Sequence, residues 1–274
     1  MLTMRSGSEL PFIESILRTS GKLLMLHFGD RIVAKRKTEK SQIVTVIDVA
    51  SEKLLIKQIV KKYPKSSILA EESGFVEKDP NDVWIIDPID GTSNFANGLP
   101  WFGVMVAHVM YGVAVSSGVY LPVSDEMYLA AKGEGACKNG KKFSVLEQDD
   151  LSLSLIAFGT DGSEKSFPVD IKGKMYAAIL PMVLNIRTTN SIVDFVYAAE
   201  GKLGGLICLE SRIWDIAPII PIAIEAACMV TDSKGKMINL EITKENIIRN
   251  YTLLLASTQI HPQLLKLVRD EVRK

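Results

Sequence analysis

Apolar residues recur at helical spacing near the start of the chain, at Leu10, Ile13, Ile16, Leu17 and Leu24. This predicts a helix over 8–27, with Pro11 tolerated only in its first turn and Gly29 ending it. A basic, weakly patterned stretch over 31–40 reads as a hairpin or loop. The β-branched run 43–47 reads as a short strand, after which Asp48 opens a second amphipathic helix carrying Leu55, Ile59 and Val60 and halted by Pro64. Two short apolar runs follow, 67–70 and 83–86, and each delivers acidic residues at its end.

Beyond Pro100 the pattern changes to strands over 101–110, 113–121 and 126–131, with Asn139-Gly140 supplying a hairpin turn. The second half alternates strands (153–158, 203–209, 251–256) with helices (166–179, 192–200, 216–229, 262–273), which predicts a parallel or mixed sheet covered by helices. The fold class is therefore α+β: a mostly antiparallel sheet with helices over 1–150 and a mixed α/β lobe over 151–274, packed without a flexible linker. Residues 91–124 contain no Asp, Glu, Lys or Arg, but Gly98, Pro100, Gly103, Gly112, Gly118 and Pro122 interrupt them, so buried strands explain the window better than a membrane span.

Composition narrows the functional classes. Of 274 residues, 47% are apolar and 23% charged, ordinary for a folded protein with a sizeable core. Lys plus Arg (32) balance Asp plus Glu (32), and this neutrality speaks against nucleic acid or an anionic membrane as the main ligand. Cys137, Cys208 and Cys228 are odd in number and far apart, which predicts three buried thiols in a reducing cytoplasm. The first ten residues lack the apolar core of a signal peptide.

The chemistry gathers in the acidic strand ends. Glu71-Glu72 closes one run and Asp87-Pro88-Ile89-Asp90-Gly91-Thr92 closes the next. Carboxylates brought together at buried strand ends repel one another and resist desolvation unless a positive charge joins them, and a hard divalent cation with oxygen ligands meets that need. Pro88 keeps the strand from simply continuing, so Asp87 and Asp90 can converge with the Ile89 carbonyl between them. Gly91-Thr92 then opens a turn or short helix whose first amides suit a phosphate. The same residues also fit a plainer description, with Asp87 and Asp90 as turn and capping residues and Glu71-Glu72 as a solvated pair.

Ala70-Glu71-Glu72-Ser73, the run from Trp84 to Phe95 through DPIDGT, and Trp214-Asp215-Ile216-Ala217 together resemble the three signatures of the inositol monophosphatase family; Val44-Thr45 and Asp48 match a weaker fourth. The resemblance extends over almost the whole chain. It implies a layered αβαβα fold and a Mg²⁺-dependent, Li⁺-sensitive phosphomonoesterase acting on a small phosphorylated substrate. It further implies that Glu71, Asp87, the Ile89 carbonyl, Asp90 and Asp215 hold two Mg²⁺ ions, with a third near Asp48 and Glu71. Thr92 with Glu71 would orient the attacking water, and the Gly91 and Thr92 amides would take phosphate oxygens. A homodimer is the family expectation, with no role for a membrane.

Other phosphatase chemistries fit less well. A nucleophilic-aspartate enzyme needs DxD, whereas this chain has DxxD with Pro88 intervening; a cysteine phosphatase needs Arg at position 143, which is Phe143. His27, His108 and His261 stand apart and read as structural or surface residues. The chain departs from the family where the substrate is chosen. Thr189-Asn190-Ser191 replaces the usual small residues, the segment before Trp214 is short, and Glu225-Ala226-Ala227-Cys228 replaces a glycine pair. Asn190 and Ser191 are expected to line the substrate, Glu210 to bind its hydroxyls and Arg212 to reach a second phosphate. The main expectation is an inositol 1-phosphate-like sugar or polyol phosphate. Fructose 1,6-bisphosphate, 3′-phosphoadenosine 5′-phosphate and a protein-interaction scaffold are the alternatives. The neutral total conceals a local balance of +7 over 31–65 and −6 over 66–90.

Overall fold

The first apolar stripe forms α1 (Leu10–His27), and Pro11 sits in its first turn, where its missing amide costs nothing. The computed structural model describes residues 9–30, 35–36, 43–160 and 167–273. Most of the 31–40 stretch therefore lies outside the described residues, as does position 166, where the sequence places a helix start. β1 (Lys35–Arg36) and β2 (Ile43–Val44) pair antiparallel. The strand expected over 43–47 stops at Val44, because the Thr45 hydroxyl accepts the Ile47 and Asp48 amides while Asp48 Oδ2 accepts the Thr45 amide. This reciprocal cap overrides the β-branched run, so α2 (Val46–Lys62) starts two residues before Asp48.

The first sheet is built from β3 (Ser66–Ala70), β4 (Gly74–Val76) and β5 (Asp79–Asp90), then, after α3 (Thr92–Ala96), from β6 (Gly103–Met110), β7 (Val113–Leu121), β8 (Glu126–Ala131), β9 (Gly135–Lys138) and β10 (Lys141–Phe143). Its order is β10-β9-β8-β7-β6-β5-β3-β4, antiparallel except for β3 against β5. The uncharged window becomes α3, β6, β7 and their turns, with β6 almost wholly buried. Asn139 (φ 48°) and Gly140 (φ 76°) turn β9 into β10, as their sequence predicts.

The second half holds β11 (Leu155–Gly159), α4 (Val169–Ile179), β12 (Asn185–Arg187), α5 (Ile192–Glu200), β13 (Gly205–Ser211), α6 (Ile213–Ile216), α7 (Ile219–Glu225), β14 (Met229–Thr231), α8 (Lys244–Ile248), β15 (Tyr251–Ala256) and α9 (His261–Arg273). The sheet runs β12-β11-β13-β15-β14 and is mixed. The single helix expected over 216–229 is corrected. Pro218 cannot donate to the preceding turn and separates α6 from α7, Ala227 takes a left-handed φ of 66°, and Met229 already belongs to a strand.

Strand alternation sorts the core into three slabs. Ile68, Trp84, Ile86, Val104 and Val106 face α1 and α2 through Ile13, Leu17, Leu55 and Ile59. Leu69, Ile85, Met105 and Ala107 face the opposite way, onto α5, α7 and the inner residues Leu206, Cys208 and Leu253 of the second sheet. Ile156, Phe158, Ile207 and Leu254 turn outward to α4 and α9. The layers are thus α, β, α, β, α. At Gly118 a Cβ would lie 2.5 Å from Ile13 and 2.7 Å from Leu17, so the absence of a side chain lets α1 settle on β7. Cys208 and Cys228 are buried, Cys137 is half-buried, and all three are free thiols. Among the described residues no helix is long and apolar enough to cross a membrane.

Candidate metal and phosphate site

Parallel pairing of β3 with β5 sets Ala70 beside Ile86, and the Glu71 amide donates to the Ile86 carbonyl at 3.2 Å, so Glu71 and Asp87 leave the sheet side by side. β5 does not end at Pro88. Asp87 pairs with Met105 and Asp90 with Gly103, so three steps on β5 oppose two on β6. This bulge offsets the alternation that would otherwise send Asp87 and Asp90 to opposite faces. The Ile89 amide closes the bulge by donating to Asp87 Oδ1 at 3.0 Å.

The third acid comes from the other sheet. Asp215 sits in the first turn of α6, where its Oδ2 accepts the Arg212 amide at 2.6 Å; it is the third residue of that helix, not its cap. One carboxylate oxygen each from Asp87, Asp90 and Asp215 lies within 4.8 Å of the others. Three carboxylate oxygens gathered this closely, with no nitrogen or sulfur donor among them, form a donor set that suits a hard divalent cation. Asp90 accepts the Ile192 amide at the start of α5, which ties the first sheet to the second. Burial chiefly, and then the negative charges of Glu71 and Asp194, raise the Asp90 carboxyl to about 7. The price of gathering these acids is visible at that one residue.

A cavity of about 150 Å³ opens between the sheets. Glu71, Asp87, Ile89, Asp90, Gly91, Thr92, Asn190, Arg212 and Asp215 line it, together with Ser93 and Trp214, which sequence reasoning did not single out as lining residues. Gly91 is doubly constrained: its φ is 86°, and a Cβ there would meet the Trp101 carbonyl at 2.6 Å. Asp48, Ser191 and Glu210 stand outside that lining. Asp48 is fully buried and takes the Thr92 hydroxyl on Oδ1 at 2.9 Å. The same hydroxyl also lies 2.9 Å from the Ile89 carbonyl. Ser191 is buried and caps α5, with its hydroxyl 2.9 Å from Thr189 Oγ1. Glu210 is buried against Lys172 of α4, whose Nζ donates to Oε2 at 2.6 Å.

Several supporting residues escaped the sequence reading. Glu52, one turn after Asp48 on α2, is buried and accepts the Glu72 and Ser73 amides at 2.8 and 2.9 Å, which holds the loop behind Glu71. Two buried acids at i and i+4 on an otherwise amphipathic helix were the available signal. Asp194 accepts the Thr189 and Asn190 amides at 2.9 and 3.1 Å, and its carboxyl is raised mainly by burial. The Ser191-x-x-Asp194 spacing announces a capping acid. Asn94 is buried and donates to the Trp101 and Thr189 carbonyls at 2.8 and 2.9 Å, bridging the two sides of the seam; nothing local marks it.

Comparison with known proteins agrees with this geometry. The profile of the inositol monophosphatase family matches residues 9–273. The chain is 33% identical over 267 residues to a fructose-1,6-bisphosphatase/inositol-1-monophosphatase of Thermotoga maritima, covering 97% of this chain and 98% of that one. It is 30% identical over 261 residues to the Nus factor SuhB of Escherichia coli K12, covering 93% of each. In three dimensions it superposes on a Thermotoga maritima IMPase with a TM-score of 0.86 at 31% identity, covering 97% and 98% of the two chains. It also superposes on the extragenic suppressor protein suhB of Bartonella henselae with a TM-score of 0.87 at 25% identity, covering 96% and 98%. Five alternating layers, an acid-lined seam between two sheets and a match running from residue 9 to residue 273 converge on one conclusion: the chain belongs to the inositol monophosphatase family.

Proposed function

We propose that this protein is a Mg²⁺-dependent phosphomonoesterase that hydrolyses a small sugar or polyol phosphate, inositol 1-phosphate-like in size. The observation that carries the reading is the convergence of Asp87, Asp90 and Asp215 from two sheets on one small cavity. Residues 1–150 would supply most ligands and residues 151–274 would supply Asp215 and the substrate rim. Glu71, Asp87, the Ile89 carbonyl, Asp90 and Asp215 would hold two ions, with room for a third near Asp48. When bound, the cations withdraw charge from the phosphoryl oxygens and acidify nearby water.

The chain's own groups do the rest. The Thr92 hydroxyl has one proton, and Asp48 Oδ1 is positioned to receive it; the Thr92 oxygen is then an acceptor that orients the attacking water toward phosphorus. The Gly91 and Thr92 amides at the start of α3 take phosphate oxygens. Asn190 and Arg212 meet the leaving group across the cavity. Ser191 and Glu210 act from behind, Ser191 by capping α5 and Glu210 through Lys172. We place the enzyme in the cytoplasm, supported by its three free thiols, and infer a homodimer, for which solution mass is the check.

The test is phosphate release from inositol 1-phosphate, fructose 1,6-bisphosphate, histidinol phosphate and 3′-phosphoadenosine 5′-phosphate, with Mg²⁺ and with added Li⁺. The expected result is Mg²⁺-dependent turnover, inhibited by Li⁺, strongest on one monoester. A second reading, that the chain serves as a protein partner, is favoured by the Nus factor name of its Escherichia coli relative. Folded protein inert on every substrate would favour it.

A further inference from the structure

We propose that a second cleft, at the same edge of the second sheet as Asp215, is a binding site for an organic phosphate such as a nucleoside diphosphate. The proposal is independent of the hydrolytic reading. β13 ends at Ser211, which pairs with Tyr251 at the start of β15, and Arg212 Nη1 donates to the Ile248 carbonyl at 2.6 Å. Immediately beyond lies a cleft of about 730 Å³, formed by the loop after β14 and by residues 249–252. Small-molecule sites span about 300–1,000 Å³, and a lone phosphate would fill only a small part of this one.

The lining carries three cations against one carboxylate. Lys234 and Lys236 are exposed on the loop and Arg249 is exposed opposite them; among the described residues none is paired with a carboxylate. The one acid in the lining is occupied: Asp232 Oδ1 accepts the Lys234 and Lys236 amides, both at 2.8 Å. The loop is also held in place. Asp232 N–H donates to the Lys236 carbonyl at 2.8 Å, Ser233 N–H donates to Thr252 Oγ1 at 2.9 Å, and Arg269 donates to the Lys234 carbonyl. Three cations around one space repel each other in the free protein, and an anion relieves that repulsion on a loop whose backbone is already held. Phe167, Met237 and Ile238 add an apolar wall that inorganic phosphate would not use. A charged head with a flat or apolar body matches both halves of the lining.

The experiment is calorimetric titration of the full-length protein in EDTA with ADP, and separately with pyrophosphate. EDTA strips divalent cations from the acidic seam, so a negative result on catalysis and a negative result here are separate outcomes. The expected result is saturable ADP binding, weaker pyrophosphate binding, and an affinity loss of about tenfold in both Lys234→Ala/Lys236→Ala and Arg249→Gln, with none in Asp90→Asn. No ADP binding at millimolar concentration overturns the proposal, as does binding indifferent to the cation substitutions or abolished by Asp90→Asn. Pyrophosphate binding as tightly as ADP would remove the organic body from the assignment.

Discussion

The two sides of the acidic seam are held in place by different means. On the first sheet, Glu71, Asp87 and Asp90 are placed chiefly by backbone: a parallel strand pair, one bulge and one left-handed glycine, with the Glu52 side chain holding the loop behind Glu71. On the second sheet, Asn190 and Glu210 are placed by side chains reaching from elsewhere, with Asp194 and Asn94 fixing the 189–191 loop and Lys172 fixing Glu210. Backbone placement tolerates little change in sequence, which suits the invariant part of a reaction. Placement by side chains can be altered one residue at a time, which suits the rim where the proposed reading puts the leaving group.

This contrast predicts unequal responses to mutation. Asp90→Asn should lower kcat by about 10³-fold, since the cation it would hold supplies several kcal/mol. The thermal midpoint should hold or rise, because a carboxylate repelled by Glu71 and Asp194 has been neutralised. Lys172→Met should destabilise the fold by about 3 kcal/mol by removing the ammonium group that lies 2.6 Å from the Glu210 carboxylate, and Lys172→Met/Glu210→Leu should recover most of the loss in a denaturant titration. If the single variant is as stable as the parent, Glu210 is not held in the way described. Asn94→Ala should cost about tenfold in kcat/KM, mostly in KM, by loosening the rim and leaving the acids in place. An equal loss in kcat would erase the distinction between the two sides.

The smallest expected effect lies far from the seam. His108 is buried between Glu9 and Asp82, each 2.8 Å away, and stacks on Trp84. Burial works against its charge, but the two carboxylates prevail and raise it from 6.5 to about 9. A raised folded value means that the charged pairings stabilise fully below pH 6.5 and are lost as pH climbs through about 9. The thermal midpoint should therefore fall by a few degrees over that interval in the parent protein and stay flatter in His108→Gln.

The same contrast explains what could be read in advance. DPIDGT, the preceding Glu71-Glu72 and Trp214-Asp215 encode local geometry; periodicity predicted the two helix-covered sheets, and the five-layer order came from the family resemblance that those motifs carry. Asn94 and Lys172 act across 95 and 38 residues of sequence, and nothing near them announces their partners. Two element boundaries failed for local reasons that outranked propensity: the Thr45–Asp48 cap shortened a β-branched strand, and Pro218 divided an apolar helix. Glu210 illustrates the limit at the site. Its place near the end of β13 was readable, but its engagement with a lysine from α4 was not.

The central claim is that one reaction centre is assembled from both sheets. It is tested most directly by measuring phosphate release against Mg²⁺ concentration for the parent protein, Asp90→Asn and Asp215→Asn, all shown to be folded. The account predicts Mg²⁺-dependent release in the parent and loss of about 10³-fold in either variant, although one acid comes from β5 and the other from α6. Parent-like, Mg²⁺-dependent release by Asp215→Asn would contradict it.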